Sequence, residues 1–149
     1  MHFLTIVMAL KKEHIPMLLK PYDENESYRY NYYDCNCIYN SPDKETPDPN
    51  CIFCNGTGKV LEPCCDSSAH WDWYEDNQAE GRWADYVLPW TPEDVDPDQG
   101  IAFAIVTPDR GWLERSKEED EEHWSNTYWE AFNEAIKKGY QPFIVDCHE

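Results

Sequence analysis

Four cysteines stand at a spacing that can do chemistry: Cys35-x-Cys37, then 13 intervening residues, then Cys51-x-x-Cys54. Thiolates bond zinc at about 2.3 Å, and four of them saturate a tetrahedral ion, leaving no open position for water. Two ligands separated by two residues can turn around one metal. Gly56 and Gly58 then let the backbone fold tightly beneath it, so that amide N–H groups reach the sulfurs. The pattern predicts one structural zinc held by Cys35, Cys37, Cys51 and Cys54. Cys64, Cys65 and His70 compete for the third and fourth places, but adjacent cysteines diverge and serve one tetrahedral ion poorly. Cys147 lies within an apolar run and reads as a packed thiol.

Seven cysteines are an odd number, which argues against a fully paired disulfide framework. The apolar run Phe3 to Leu10 has no basic residue before it and leads into Lys11-Lys12. It is read as a buried first strand rather than a secretory signal, and it is too short to cross a bilayer. A cytoplasmic protein is expected, in a reducing compartment where clustered cysteines bind metal more often than they pair.

Both chain ends carry polar groups beside apolar strands: His2 at the first, Asp146 and His148 at the last. An Asp–His pair can orient an imidazole for base catalysis or for a metal. The reading keeps these residues apart. If the two strands are antiparallel neighbours, His2 is expected at the strand end opposite His148. A parallel pairing separates them in the same way, and only a crossed register would unite them. The plainer expectation is solvated strand ends. No nucleophile elbow, phosphate loop or paired-histidine helix motif is present, so the reading leans away from an enzyme.

The net charge of −18 sets the partner class. Such a surface repels phosphate backbones and anionic headgroups, which excludes direct nucleic-acid binding and membrane binding as general modes. Between Glu75 and Glu122 stand 15 acidic and 4 basic residues, so 11 of the 18 net charges fall in a third of the chain. Glu93, Asp94, Asp96 and Asp98 lie in a proline-containing loop. Glu118, Glu119, Asp120, Glu121 and Glu122 lie where a helix should begin. These nine carboxylates are the candidate face for a protein with a basic surface, and mimicry of DNA charge is one version of that role. A solvated loop and a helix start are the simpler account of the same residues.

The elements that must position these groups are clearest in the C-terminal third. Ile101 to Val106 reads as a strand, Thr107-Pro-Asp-Arg-Gly111 as a tight turn, and Trp112 to Glu114 as the returning strand. Ser116 with Glu119 matches a capping box. Trp124, Tyr128, Phe132, Ala135 and Ile136 recur on one helical face, and Gly139 ends that helix. Phe143 to Cys147 is the final strand. Tyr28 to Tyr33 suits a strand leading into Cys35, and Ser41 to Asn50, with three prolines, is a loop. The order predicts a single α+β domain over residues 1–149: an antiparallel sheet with helices on one face, possible in a ferredoxin-like order. A cysteine-rich zinc-binding subregion, residues 35–70, is inserted in it.

The segment Cys51-Ile-Phe-Cys-Asn-Gly-Thr-Gly58 resembles one half-site of the zinc-binding repeat of DnaJ-type chaperones. A single copy without a J-domain implies a knuckle, not a chaperone, with peptide binding as one use. Six stretches in order resemble a widespread group of uncharacterised bacteriophage proteins. They are His2-Phe-Leu-Thr-Ile-Val7, Pro21-Tyr-Asp-Glu-Asn25, the knuckle itself, Trp71-Asp-Trp-Tyr74 with Gly81-Arg-Trp83, Thr107-Pro-Asp109 with Trp112, and Val145-Asp-Cys-His148. That group usually has Gly-Gly before its Arg-Trp, where Glu80-Gly81 stands here. The resemblance implies a phage origin and an accessory role in the infected cell, with no known activity. Joined to the compact size, the acidity and the lack of an active-site motif, it leads to the expectation of a protein in the host cytoplasm that binds a host protein, with DNA mimicry or anti-defence inhibition as versions of that role.

Overall fold

Strand β1 (His2–Ala9) is buried from Phe3 onward, as its two-sided apolar pattern requires. The computed structural model to which it belongs describes residues 1–25, 28–65 and 69–149, with side chains for 1–25, 32–60 and 69–149. The chain divides into two units, Met1–Glu26 with Ser68–Glu149, and Ser27–Ser67. The inserted unit therefore takes in the hairpin strands on both sides of the cysteines.

In the first unit, β1 leads through a short helix α1 (Ile15–Leu19), which carries Pro16 at its start. The second unit contains β2 (Tyr28–Asp34), the single turn α2 (Asn36–Tyr39) and β3 (Lys59–Cys65). The first unit resumes with β4 (Trp73–Glu75), β5 (Ala104–Thr107), β6 (Gly111–Glu114), helix α3 (Glu121–Lys137) and β7 (Gln141–His148). Its five-stranded sheet runs β4-β7-β1-β5-β6. Every pairing is antiparallel except β1 with β5, which departs from the all-antiparallel ferredoxin-like order. A parallel pair needs a long crossover, and residues 10–103, with the whole second unit inside them, supply it.

Alternation along β1 divides the core. Leu4, Ile6 and Met8 face Trp124, Tyr128 and Phe132 of α3, whereas Phe3 and Val7 face Ile15, Leu19 and Trp71. Helices were expected on one face only. Instead α1 and a set of aromatic side chains cover the second face, because β1 is apolar on both. Trp71 is anchored there by its indole N–H, which donates to the Leu19 carbonyl at 3.0 Å.

Helix α3 buries the predicted stripe, with Trp129 and Ala131 added to it. Its cap is not Ser116. Asp120 holds that position in an extended conformation and its carboxylate accepts from the His123 backbone N–H at 2.8 Å. Ser116 sits in a preceding 3-10 turn, where its hydroxyl donates to Glu114. Only Glu121 and Glu122 fall in the first turn of α3. At the far end Gly139, at φ +88°, terminates the helix and its N–H donates to the Ile136 carbonyl at 3.0 Å. Arg110, in the β5–β6 turn, donates to Glu130 and Glu134 of α3 and so ties the hairpin to the helix.

Candidate metal centre and a histidine–aspartate cluster

The second unit brings the two cysteine pairs together. Strand β2 delivers Cys35 to the start of α2, whose turn places Cys37. The Ser41 to Asn50 loop then returns the chain to Cys51. Asp43 organises that loop, accepting from the Ser41 and Thr46 hydroxyls and from the backbone N–H groups of Glu45 and Thr46. These bonds, the Thr46 hydroxyl first, hold its carboxyl well below the usual range. Beyond Cys54 the backbone turns left-handed at Asn55, Gly56 and Gly58. The Gly58 carbonyl then accepts from Cys35 N–H at 2.8 Å, closing the knuckle against the first pair.

The four sulfurs all lie within 4.8 Å of one another, with Cys35 to Cys51 and Cys37 to Cys54 at 3.6 Å. A tetrahedral ion with thiolate bonds of about 2.3 Å needs sulfur–sulfur edges of about 3.8 Å. The geometry therefore suits one metal ion, and among the described residues this is the group that does. A backbone N–H donor from Asp48 lowers the Cys37 thiol, but burial and the neighbouring thiols push it up to about 12. Burial raises Cys54 too, yet backbone hydrogen bonds from Gly58 and Gly56 and the thiols of Cys37 and Cys51 bring it down to about 7. Backbone donors beside a sulfur favour its thiolate, the form that binds metal.

The other sequence candidates fall elsewhere. Cys64 and Cys65 lie in β3, and their side chains are outside the described residues. His70 belongs to the first unit, stacked on Trp112 at 4.9 Å with Nδ1 3.0 Å from Glu114. Burial pushes its imidazole below the ordinary range against the pull of that carboxylate. Cys147 is buried between strands, and burial pushes its thiol up to about 12, as suits a packed side chain. Glu93, Asp94, Asp96 and Asp98 are all exposed. Glu118 accepts from the Thr127 hydroxyl, and Glu121 pairs with Arg115.

The tight knuckle gives a direct test of the backbone argument. A Cβ on Gly58 would stand 2.9 Å from Ile38 Cδ1 and 3.0 Å from Pro47 Cβ, at φ +77°. Left-handed backbone costs an L-residue about 1–2 kcal/mol before any clash. Gly58→Ala should therefore lower the unfolding free energy of the cysteine-rich unit by at least that amount, as measured by metal-release midpoints in denaturant.

One expectation is overturned at the sheet's end. Strands β1 and β7 are antiparallel neighbours, and their register pairs His2 directly with His148. Antiparallel pairing sets the beginning of one strand against the end of the other, so the two histidines meet without any crossed register. Their rings are 4.9 Å apart. His2 Nδ1 is 2.9 Å from Asp146 Oδ2, and His148 Nδ1 is 2.8 Å from Asp72 Oδ1. The hydrogen bond from His148 holds the Asp72 carboxyl below its usual range. Asp146 is 3% exposed and its other oxygen accepts from the Trp83 indole N–H at 2.9 Å. Arg82 Nε lies 3.8 Å from Oδ2. Sequence reasoning missed Asp72, Arg82 and Trp83 as members, although all three stand in the Trp71 to Trp83 motif.

Two cavities flank the histidines. One, of 480 Å³, is lined by His2, Arg82, Trp83, Tyr86, Phe103 and Arg115 among others. The second, of 460 Å³, is formed by His2, Asn25, Asp72, Trp73 and His148. Trp73, half exposed, stands edge-on to His2 at 5.8 Å.

No protein-family model matches the chain, and neither a curated protein nor a solved structure matches it significantly. No helix among the described residues is long and apolar enough to cross a membrane.

Proposed function

We propose that the cysteine-rich unit is a zinc-stapled recognition module, and that the protein acts by binding a host protein. Four clustered thiolates select a soft or borderline ion, and a closed tetrahedral thiolate set is the usual form of a structural zinc site. The observation that carries the binding role is the exposure of the knuckle's own tip. Ile52 and Phe53, between the ligand cysteines, are 81% and 78% exposed. Two adjacent large apolar side chains at the turn stand open to a partner's apolar surface. Phe53 also lines a 720 Å³ cavity with Tyr33, Tyr39 and Val60, roomy enough for a partner's side chain.

The partner this surface fits has an apolar segment fringed by basic groups, since acidic Asp43, Glu45 and Asp48 stand in the neighbouring loop. The chain's charge of −18 would speed such an encounter and make it salt-dependent. The exposed acids at Glu93, Asp94, Asp96 and Asp98 take part in no ion pair among the described residues, which leaves them available for the charge-mimicking version of the role. With the bacteriophage resemblance, the proposed partner is a protein of an infected host and the proposed role an anti-defence one. The test is an Ile52→Ser/Phe53→Ser variant presented to host lysate beside the parent. A host protein held by the parent should be lost by the variant while metal content and melting temperature stay unchanged. Equal capture by both would remove the knuckle tip from the interface.

A further inference from the structure

The geometry points to a general-base site for a small nucleotide phosphodiester at the His2 end of the sheet, distinct from the recognition module. Each imidazole has its Nδ1 fixed by a carboxylate, Asp146 for His2 and Asp72 for His148. That arrangement sets ring orientation and leaves Nε2 as the working nitrogen, with the carboxylate stabilising the imidazolium when it forms. His2 Nε2 has no hydrogen-bond partner among the described residues, whereas His148 Nε2 lies 3.3 Å from the Met1 α-amino nitrogen. The His2 imidazole is thus free to take a proton, whereas His148, 4.9 Å away, has one nitrogen on Asp72 and the other facing the ammonium, and serves to position the His2 ring.

The walls describe the substrate. In a chain of 12 basic and 30 acidic residues, Arg82 and Arg115 both line the cavity that His2 enters. Arg110, by contrast, is committed to Glu130 and Glu134. Arg82 and Arg115 also touch carboxylates, Asp146 at 3.8 Å and Glu121, but half of each side chain remains exposed. Guanidinium groups bind phosphate oxygens in a fork. Trp83 and Tyr86 supply aromatic wall for a base, and Asp85 an acceptor for its amino group or a ribose hydroxyl. A volume of 480 Å³ suits a mononucleotide, and the second cavity beside Trp73 receives what lies across the phosphate. The strongly negative chain repels a long polyanion, which limits the ligand to one or two phosphates.

The step balances without a co-reactant beyond water. His2 Nε2 takes a proton from water as its oxygen bonds phosphorus. The opposite phosphorus–oxygen bond breaks as the leaving oxygen takes a proton from a second water molecule. One phosphomonoester and one alcohol result, and the hydroxide left behind takes the proton from the His2 imidazolium, which resets the site.

The probes are the dinucleotide ApA, followed by chromatography, and bis(4-nitrophenyl) phosphate, followed by absorbance, with the full chain and no added divalent ion. The parent should turn over both. His2→Asn, which keeps a donor for Asp146, should slow turnover by at least about 100-fold. His2→Ala should do the same, Arg82→Gln should raise KM more than it lowers kcat, and His123→Ala, on exposed helix surface, should change neither. Melting temperature separates these effects from unfolding, and His2→Asn is the variant designed to keep it. No turnover of either probe by the parent, or equal turnover by a folded His2→Asn protein, would overturn the proposal and leave the cluster as a clasp between β1 and β7.

Discussion

Cys51→Ser and Cys54→Ser should each yield protein that holds no stoichiometric zinc and whose cysteine-rich unit is unfolded. The unit has little else to fold upon. Cys35 and Cys54 are its buried hydrophobic side chains among those described, while Tyr32, Tyr33, Tyr39, Ile52 and Phe53 are exposed. A hairpin and one turn of helix are too small to order a 41-residue unit by burial alone. Apparent zinc-binding free energies in small thiolate domains run to about 10–16 kcal/mol at pH 7, and most of that is folding free energy. Losing one ligand of the proposed zinc would therefore remove the largest single contribution to this unit. Far-ultraviolet circular dichroism and limited proteolysis should show loss confined to residues 27–67, while the five-stranded sheet keeps its own cooperative transition. Retained zinc and retained structure in both single variants would remove the knuckle cysteines from the site.

In the sheet unit the largest expected effect comes from Trp124→Ala. Trp124 is 1% exposed in the first turns of α3, stands edge-on to Tyr128 at 5.8 Å, and donates its indole N–H to the Ala102 carbonyl at 3.1 Å. Large-to-small changes of this kind cost about 3–5 kcal/mol, from lost burial and the cavity left behind. The bond to Ala102 adds a buried carbonyl without its donor. Against a domain stability of about 5–15 kcal/mol, that is a substantial fraction. A domain of about 100 residues loses about 4–8 °C of melting temperature per kcal/mol, so the sheet transition should fall by at least about 12 °C. Zinc content should not change. Trp124→Phe should recover most of the loss, because it restores the ring but not the indole donor. A small shift for Trp124→Ala would mean that α3 does not rest on this residue.

What was legible in the sequence follows from distance along the chain. Helix α3 could be read because its apolar stripe, its first-turn acids and Gly139 are local signals of one periodicity. The four-cysteine set could be read for a similar reason, since ligand spacing and the two glycines constrain a short loop. Ser116 was misplaced as a cap because the choice between it and Asp120 depends on Glu114, which takes the serine hydroxyl. The one parallel pairing and the second helical face come from long-range competition among apolar strands, which no local pattern encodes. The histidine pair failed in the same way. His2, Asp72, Trp83, Asp146 and His148 are gathered by the β1–β7 register and by an indole bond spanning 63 positions. Their residue types are visible in the sequence, but antiparallel pairing sets the start of β1 against the end of β7, which is the reverse of the sequence expectation.

Metal analysis of the reduced, intact chain, combined with X-ray absorption at the zinc edge, decides whether the four-cysteine cluster holds zinc. One zinc per chain is expected, with four sulfur neighbours at about 2.3 Å, unchanged in a Cys64→Ser/Cys65→Ser protein. Metal-free protein that is folded throughout residues 27–67 would contradict it. So would release of the zinc by the Cys64/Cys65 double change, or a first shell containing nitrogen.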